Sequence, residues 1–393
     1  MSNTLFDRNP DLRRLRDEGF DLALSASNNH LLIRGVPYVA SIKEVRYGTL
    51  VAPLNFNGDV LNPPPNHVIY FIGEQPCELD GKIIAGIVNP SPPCDVDKDL
   101  RVDRTFSGRP PQPFADYYEK ITAYVQILEG PARAIDPRVT SRTFPPYEMQ
   151  VNESVFRYAD TASSRAKITA LSAHLEAGMV AIVGLGGTGS YVLDFLAKTP
   201  IREIHVFDGD VFSSHNAFRS PGAASLDALR DRPTKVAHHK RTYENMRHEI
   251  IGHEYSITKT NVAELDGMEF VFLCMDGGLG KKVIVDHLVA RGIGFIDVGM
   301  GLDEERGAIA GLVTTTTCTG AKGNHIGNRI SFAEPDADDE YDGNIQIAEL
   351  NALNAALAVI KWKKLRGFYA AVQNDHFTVY TVSENTLIND DVA

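Results

Sequence analysis

Residues 181–190 read Ala-Ile-Val-Gly-Leu-Gly-Gly-Thr-Gly-Ser. A short apolar run, Met179–Val183, enters a turn with glycines at Gly184, Gly186, Gly187 and Gly189. Apolar side chains then recur four apart, Val192 with Leu196 and Tyr191 with Phe195, and Pro200 closes the pattern, which predicts a helix. A strand, a glycine turn and a helix N-terminus in succession make an anion site. The backbone N–H groups point outward, the helix dipole favours negative charge, and no Cβ blocks close approach. The expected ligand is the phosphate chain of a nucleotide.

Several function classes are excluded by composition. A net charge of −12 argues against a nucleic-acid-binding surface, which needs clustered Lys and Arg. The four cysteines, Cys77, Cys94, Cys274 and Cys318, are scattered without a Cys-x-x-Cys pair, so a four-cysteine structural zinc is not expected. Such cysteines fit a reducing cytoplasm, and the charged segment Met1–Gly19 lacks the apolar core of a secretory signal. The apolar stretches are strand-sized, so no membrane span is expected.

The 393 residues suggest two or three domains. Residues 1–150 predict a small α+β domain. A charged helical segment (Pro10–Leu24) precedes strand-like runs at Leu31–Ala40, Val45–Leu54, His67–Ile72 and Ile83–Val88, broken by Asn-Gly, Pro-Pro-Pro and Asp-Gly turns. Asp116–Leu128 reads as a further helix or strand, and Arg138–Met149 as a linker. Residues 151–393 predict an α/β domain, a Rossmann-like, mostly parallel sheet with helices on both faces. Its strands are expected at Val180–Gly184, Glu203–Phe207, Glu269–Met275, Phe295–Gly299 and Ala308–Thr317, with helices at Gly189–Lys198, Lys235–Met246 and Gly280–Arg291. An acidic stretch, Glu334–Asp342, reads as a solvated loop rather than a metal site. A long helix at Ile347–Leu365 and an edge strand at His376–Val382 follow.

Gly184-x-Gly186-x-x-Gly189 also satisfies the dinucleotide fingerprint, with Asp208 near the distance of a ribose-binding carboxylate, so an NAD(P)-dependent oxidoreductase competes. The residues downstream discriminate. Asp208-Gly-Asp210 is followed by Asn216-Ala-Phe-Arg219, then Lys235 at a predicted helix start, then Asp276 at a strand end. In this order and spacing the chain, over about residues 154–393, resembles the E1-like superfamily. That superfamily includes the ThiF and MoeB adenylyltransferases and the adenylation domains of ubiquitin-activating enzymes. A dehydrogenase has no need of the Asn, Arg, Lys and Asp series.

The resemblance implies ATP and Mg²⁺ as ligands and a carboxylate as the group adenylated. Both reactants are anions, so such a site must supply positive charge. Asp208 would accept from the ribose hydroxyls, and Asn216 would orient phosphate or ribose. Arg219 and Lys235 would hold phosphates, Asp276 would hold Mg²⁺, and Asp210 would stand beside them. An arginine near the start of the fold, Arg165 in preference to Arg157, would reach across a homodimer to the nucleotide. A thioester-forming enzyme also needs a nucleophile, and Cys318, near a strand end beyond Asp276, is the candidate for it, while a small residue filling the strand end is the favoured reading of this cysteine. Cys77 and Cys94 would be acceptors only if the N-terminal domain were E2-like; a docking module for a carrier or E2 protein is the other reading. Cys274 is expected in the core, and His238 and His239 on the surface.

The extra N-terminal domain and the missing zinc cysteines give a layout similar to bacterial ubiquitin-like conjugation E1 proteins. The expected activity is adenylation of the C-terminal carboxylate of a ubiquitin-like protein, with transfer to a cysteine or an E2-like partner. A small-molecule or tRNA-modifying adenylase and a non-catalytic scaffold are the alternatives of other kinds.

Overall fold

The computed structural model describes residues 2–40, 44–58, 60–151, 154–333 and 345–392. The acidic stretch Glu334–Asp342 lies outside the described residues. The chain divides into two compact units: residues 1–149 with 159–165, and residues 150–158 with 166–393.

In the first unit six strands form a fully antiparallel sheet in the order β1-β2-β3-β6-β10-β7. These are β1 (Asp21–Leu24), β2 (His30–Val39), β3 (Val45–Pro53), β6 (Ile69–Ile72), β7 (Val88–Asn89) and β10 (Arg104–Phe106). Two short ribbons, β4–β5 (Phe56–Asn57 with Val60–Leu61) and β8–β9 (Cys94–Asp97 with Leu100–Val102), lie outside it. The helix Tyr117–Ile135 buries Tyr117, Ile121, Tyr124 and Leu128 with Leu31, Ile33, Leu50 and Phe71. Asp116 caps it by accepting from the Glu119 N–H. The first helix pattern is shorter than expected. It ends at Asp17, and Gly19 at φ +96° turns the chain into β1. The predicted strand Ile83–Val88 is reduced to β7, with Ile83 in an isolated bridge to Cys77.

In the second unit eight strands form one sheet, ordered β13-β12-β11-β14-β15-β16-β17-β18. These are β11 (Met179–Val183), β12 (Glu203–Phe207), β13 (Ile250–His253), β14 (Phe270–Leu273), β15 (Gly294–Glu305), β16 (Ala308–Cys318), β17 (Phe377–Thr381) and β18 (Thr386–Asp390). The pairings from β13 to β15 are parallel; the last three are antiparallel. Side chains alternate between two cores, as the period of two requires. Val180, Ile182, Ile204, Val206, Phe272 and Ile296 face the helices Gly187–Ala197, Lys235–Tyr243 and Ala348–Leu365. Ala181, Val183, Phe207, Val271 and Leu273 face the helix Leu279–Arg291. The result is the expected Rossmann-like α/β sheet with helices on both faces. Its register pairs Val183 with both Phe207 and Leu273, and Leu273 with Asp297. The residues that follow β11, β12 and β14 therefore emerge side by side at one end.

Lys120, on the helix of the first unit, is fully buried and donates to the carbonyls of Asn66 (3.1 Å) and Val68 (2.6 Å). Burial pushes its ammonium down to about 8. The folded state therefore holds fewer protons than the unfolded chain from about pH 8 to about 10.4, and stability rises with pH through that window. The difference in denaturation midpoint between wild type and Lys120→Met should shift in favour of the wild type from pH 7 to pH 10. A difference that stays flat would contradict this assignment.

Candidate nucleotide-binding site

The glycine turn owes its composition to contacts that leave no room for side chains. Gly184 adopts φ +91°, and a Cβ there would stand 2.4 Å from the Cys274 carbonyl oxygen. A Cβ on Gly189 would stand 1.9 Å from the Gly184 carbonyl oxygen, and one on Gly187 would meet the Asn351 side chain at 2.2 Å. Asn351 is held in that place, since Thr188 Oγ1 donates to its Oδ1 (2.8 Å). The helix Gly187–Ala197 begins at Gly186 with no side-chain cap, which leaves its first N–H groups to a ligand.

Asp208 follows β12 and is buried. Its Oδ2 accepts the Leu185 N–H (2.7 Å) and its Oδ1 the Asp210 N–H (2.9 Å). Lys235 Nζ lies 3.4 Å from Asp208 Oδ1 and 2.6 Å from Asp210 Oδ2. Thr234 positions Lys235, capping the helix Lys235–Tyr243 by accepting from the Ala237 N–H (3.0 Å). The Lys235 N–H in turn donates to the Asp210 carbonyl (2.9 Å). Asp208 thus ties both turns together and holds the lysine. Asp210, with 72% of its side chain exposed, is Lys235's closer partner.

The segment Ser213–Arg219 supplies two donors that lack acceptors among the described residues. Asn216 Oδ1 accepts the Ser213 N–H (2.9 Å), closing a capping box, while its buried Nδ2 has no partner. The buried Nε of Arg219 has none either. Burial pushes the Arg219 guanidinium down, and the negative charge of Asp276 opposes this. Asp276 stands exposed just beyond β14. Unpaired buried donors are costly, and an anionic ligand would satisfy them. With the uncapped helix end, they fit a nucleoside triphosphate. Sequence reasoning passed over His215, exposed on the short helix Ser214–Ala217. Partial burial and the nearby Arg219 and Lys235 push its imidazole down.

The structure places the remaining expected residues as follows. Cys318 is not near this site. Because β16 runs antiparallel to β15, Cys318 pairs with Phe295 at the start of β15, the opposite end of the sheet from Gly184 and Asp276. It is buried in a hydrophobic core, and burial pushes its thiol up, the reverse of what a nucleophile needs. Arg165 belongs to the first unit, with its guanidinium 4.7 Å from the centre of the Phe144 ring. Cys77 is buried, and burial raises its thiol too, while Cys94 is exposed. His239 is buried rather than superficial, and burial pushes its imidazole down to about 3. His238 stacks on Phe212 at 3.8 Å. Among the described residues, no three His, Cys, Asp or Glu side chains are grouped to hold a metal, so Asp276 would need phosphate oxygens to complete a Mg²⁺ shell. Among the described residues no helix is long and apolar enough to cross a membrane.

Two alanine substitutions separate space from composition. A Cβ on Gly186 meets nothing within 4 Å, whereas one on Gly189 collides with backbone. Gly186→Ala should cost less than about 1 kcal/mol, and Gly189→Ala about 2 kcal/mol or more. Denaturant melts would check this; equal effects would refute the packing argument.

Residues 162–329 match the ThiF family, and residues 10–161 match a domain of unknown function, DUF6791. No curated protein matches the sequence. Solved structures similar to the chain include E. coli MccB, at 17% identity over 57% of this chain and 64% of that one, with a TM-score of 0.47. E. coli MccB with AMPCPP and MccA is 16% identical over 60% of this chain and 72% of that one, with a TM-score of 0.49. PaaA is 14% identical over 70% of this chain and 92% of that one, with a TM-score of 0.45. In two MccB comparisons the chain spans 66% and 64% of the MccB length. The chain thus carries a ThiF-family domain at residues 162–329, preceded by a DUF6791 domain.

Proposed function

We propose that the protein binds ATP and adenylates the C-terminal carboxylate of a ubiquitin-like protein. The reading rests above all on the convergence of Arg219, Lys235, Asp208 and Asp276 beside an uncapped glycine turn at the ends of β11, β12 and β14. In this reading the N–H groups of Gly187, Thr188 and Gly189 donate to phosphate oxygens, and Asp208 or Asp210 accepts from the ribose hydroxyls. Lys235 exchanges its pair with Asp210 for phosphate. Arg219 offers a planar fork where Lys235 offers a point charge. Asp276 would hold a Mg²⁺ ion, whose contribution is to neutralise phosphate charge.

The substrate carboxylate oxygen attacks the α-phosphorus, the bond to the β,γ-diphosphate breaks, and pyrophosphate leaves with its electron pair. No side chain takes a proton in this step, so catalysis is positioning and charge neutralisation. With Cys318 at the far end of the sheet, the acyl group passes from the adenylate directly to a partner, an E2-like protein in this reading. The first unit serves as its docking module. A homodimer in which Arg165 serves the neighbouring protomer's nucleotide, and a cytoplasmic location, complete the proposal.

The test is isotope exchange between labelled pyrophosphate and ATP, with Mg²⁺ and a ubiquitin-like protein bearing a free C-terminal carboxylate. Wild type should exchange label, and Asp276→Ala should lower the rate by about 10²-fold or more. Arg219→Lys, which keeps the charge and loses the fork, should weaken apparent ATP affinity about tenfold. No exchange in wild type, undiminished exchange in Asp276→Ala, or nicotinamide dinucleotide binding without ATP binding would each overturn the reading.

A further inference from the structure

The segment 274–278 connects β14 to the helix Leu279–Arg291 and carries Asp276. Two charged residues lie behind it that the proposed chemistry does not use. Lys281 stands in the first turn of that helix, and Asp297 lies on β15 directly beside Leu273. Lys281 Nζ is 2.7 Å from Asp297 Oδ1, with side chains 5% and 6% exposed.

Stability alone does not account for this pair. Removing two charges from water costs several kcal/mol per ion, and well-packed apolar residues of like volume often serve as well or better. The lysine also sits at the positive end of a helix dipole, where a cation is disfavoured. What a close ion pair supplies is a fixed geometry between two elements. Here these elements are the first turn after Asp276 and the strand beside the last residue before the segment. The segment in turn touches the glycine turn, since the Cys274 N–H donates to the Val183 carbonyl (2.8 Å) and the Cys274 carbonyl is packed against Gly184.

We propose that Lys281 and Asp297 are positioning residues. Their buried pair clamps residues 274–278 so that Asp276 and the Cys274 carbonyl stay in register with the glycine turn. The role assigned to Asp276 rests on the adenylation reading; the clamp itself does not.

The discriminating variant is Lys281→Met with Asp297→Leu, which replaces the ions by an apolar pair. It should melt at or above the wild-type temperature, yet amide exchange across residues 274–282 should quicken at least tenfold. In pyrophosphate exchange, half-saturating Mg²⁺ should rise about fivefold or more and kcat should fall. Lys281→Arg, which keeps the pair, should behave as wild type in both. Should the double variant not fold, Asp297→Asn preserves shape while removing the charge, and the same quickening is expected. Wild-type amide exchange in whichever of these variants folds would overturn the clamp. A wild type that exchanges no pyrophosphate would refute adenylation, while the amide measurement still decides the clamp.

Discussion

One carboxylate organises the glycine-turn end of the second unit's sheet. Asp208 receives the N–H of Leu185 from the first turn and that of Asp210 from the second, and it lies beside Lys235. Buried where water cannot satisfy it, a carboxylate needs such partners, and those partners in turn lose their conformational freedom. The turns, the lysine and the strand ends are consequently one object. The same economy explains why Asp210, more exposed and 2.6 Å from Lys235, is the carboxylate better placed to give up its cation to a phosphate.

The parts of this arrangement that depend on short-range pattern were legible in the chain. The glycine turn, the Asp-x-Asp and Asn-x-x-Arg spacings and Lys235 after Thr234 are each local, and the alternation of strands with helices has strong periods. Strand direction is not local. A run such as Thr314–Cys318 alternates identically whichever way it runs, and only the β15–β16 pairing shows that its end lies at the wrong pole for catalysis. β13 and β18 were missed for a related reason: four or five residues with weak alternation join a sheet through tertiary pairing alone. His239 and Lys281 were illegible in another way, since a polar residue on a helix looks solvated until its neighbours are known.

The two ends of the second unit's sheet therefore differ in kind. At the end holding Gly184 and Asp208 the turn is crowded, charged side chains gather, and among the described residues Asn216 Nδ2 and Arg219 Nε lack partners. At the other end Cys318 is enclosed with Ile326 and Ile330 in an apolar core. A Cβ added to Gly323 would stand 3.3 Å from its sulfur, so the thiol is packed closely on that side.

The ribbon of β15 and β16 turns through Arg306 and Gly307, both at positive φ, with Glu305 facing Ala308. Such a two-residue connection closes with little entropic penalty, whereas β11 through β14 are joined by crossovers that bring distant stretches together. Nucleation is thus favoured in the ribbon, and its inner half then offers a template on which β14 aligns. The loops that follow β11, β12 and β14 come together last on that route, because each waits on a crossover that the ribbon does not need.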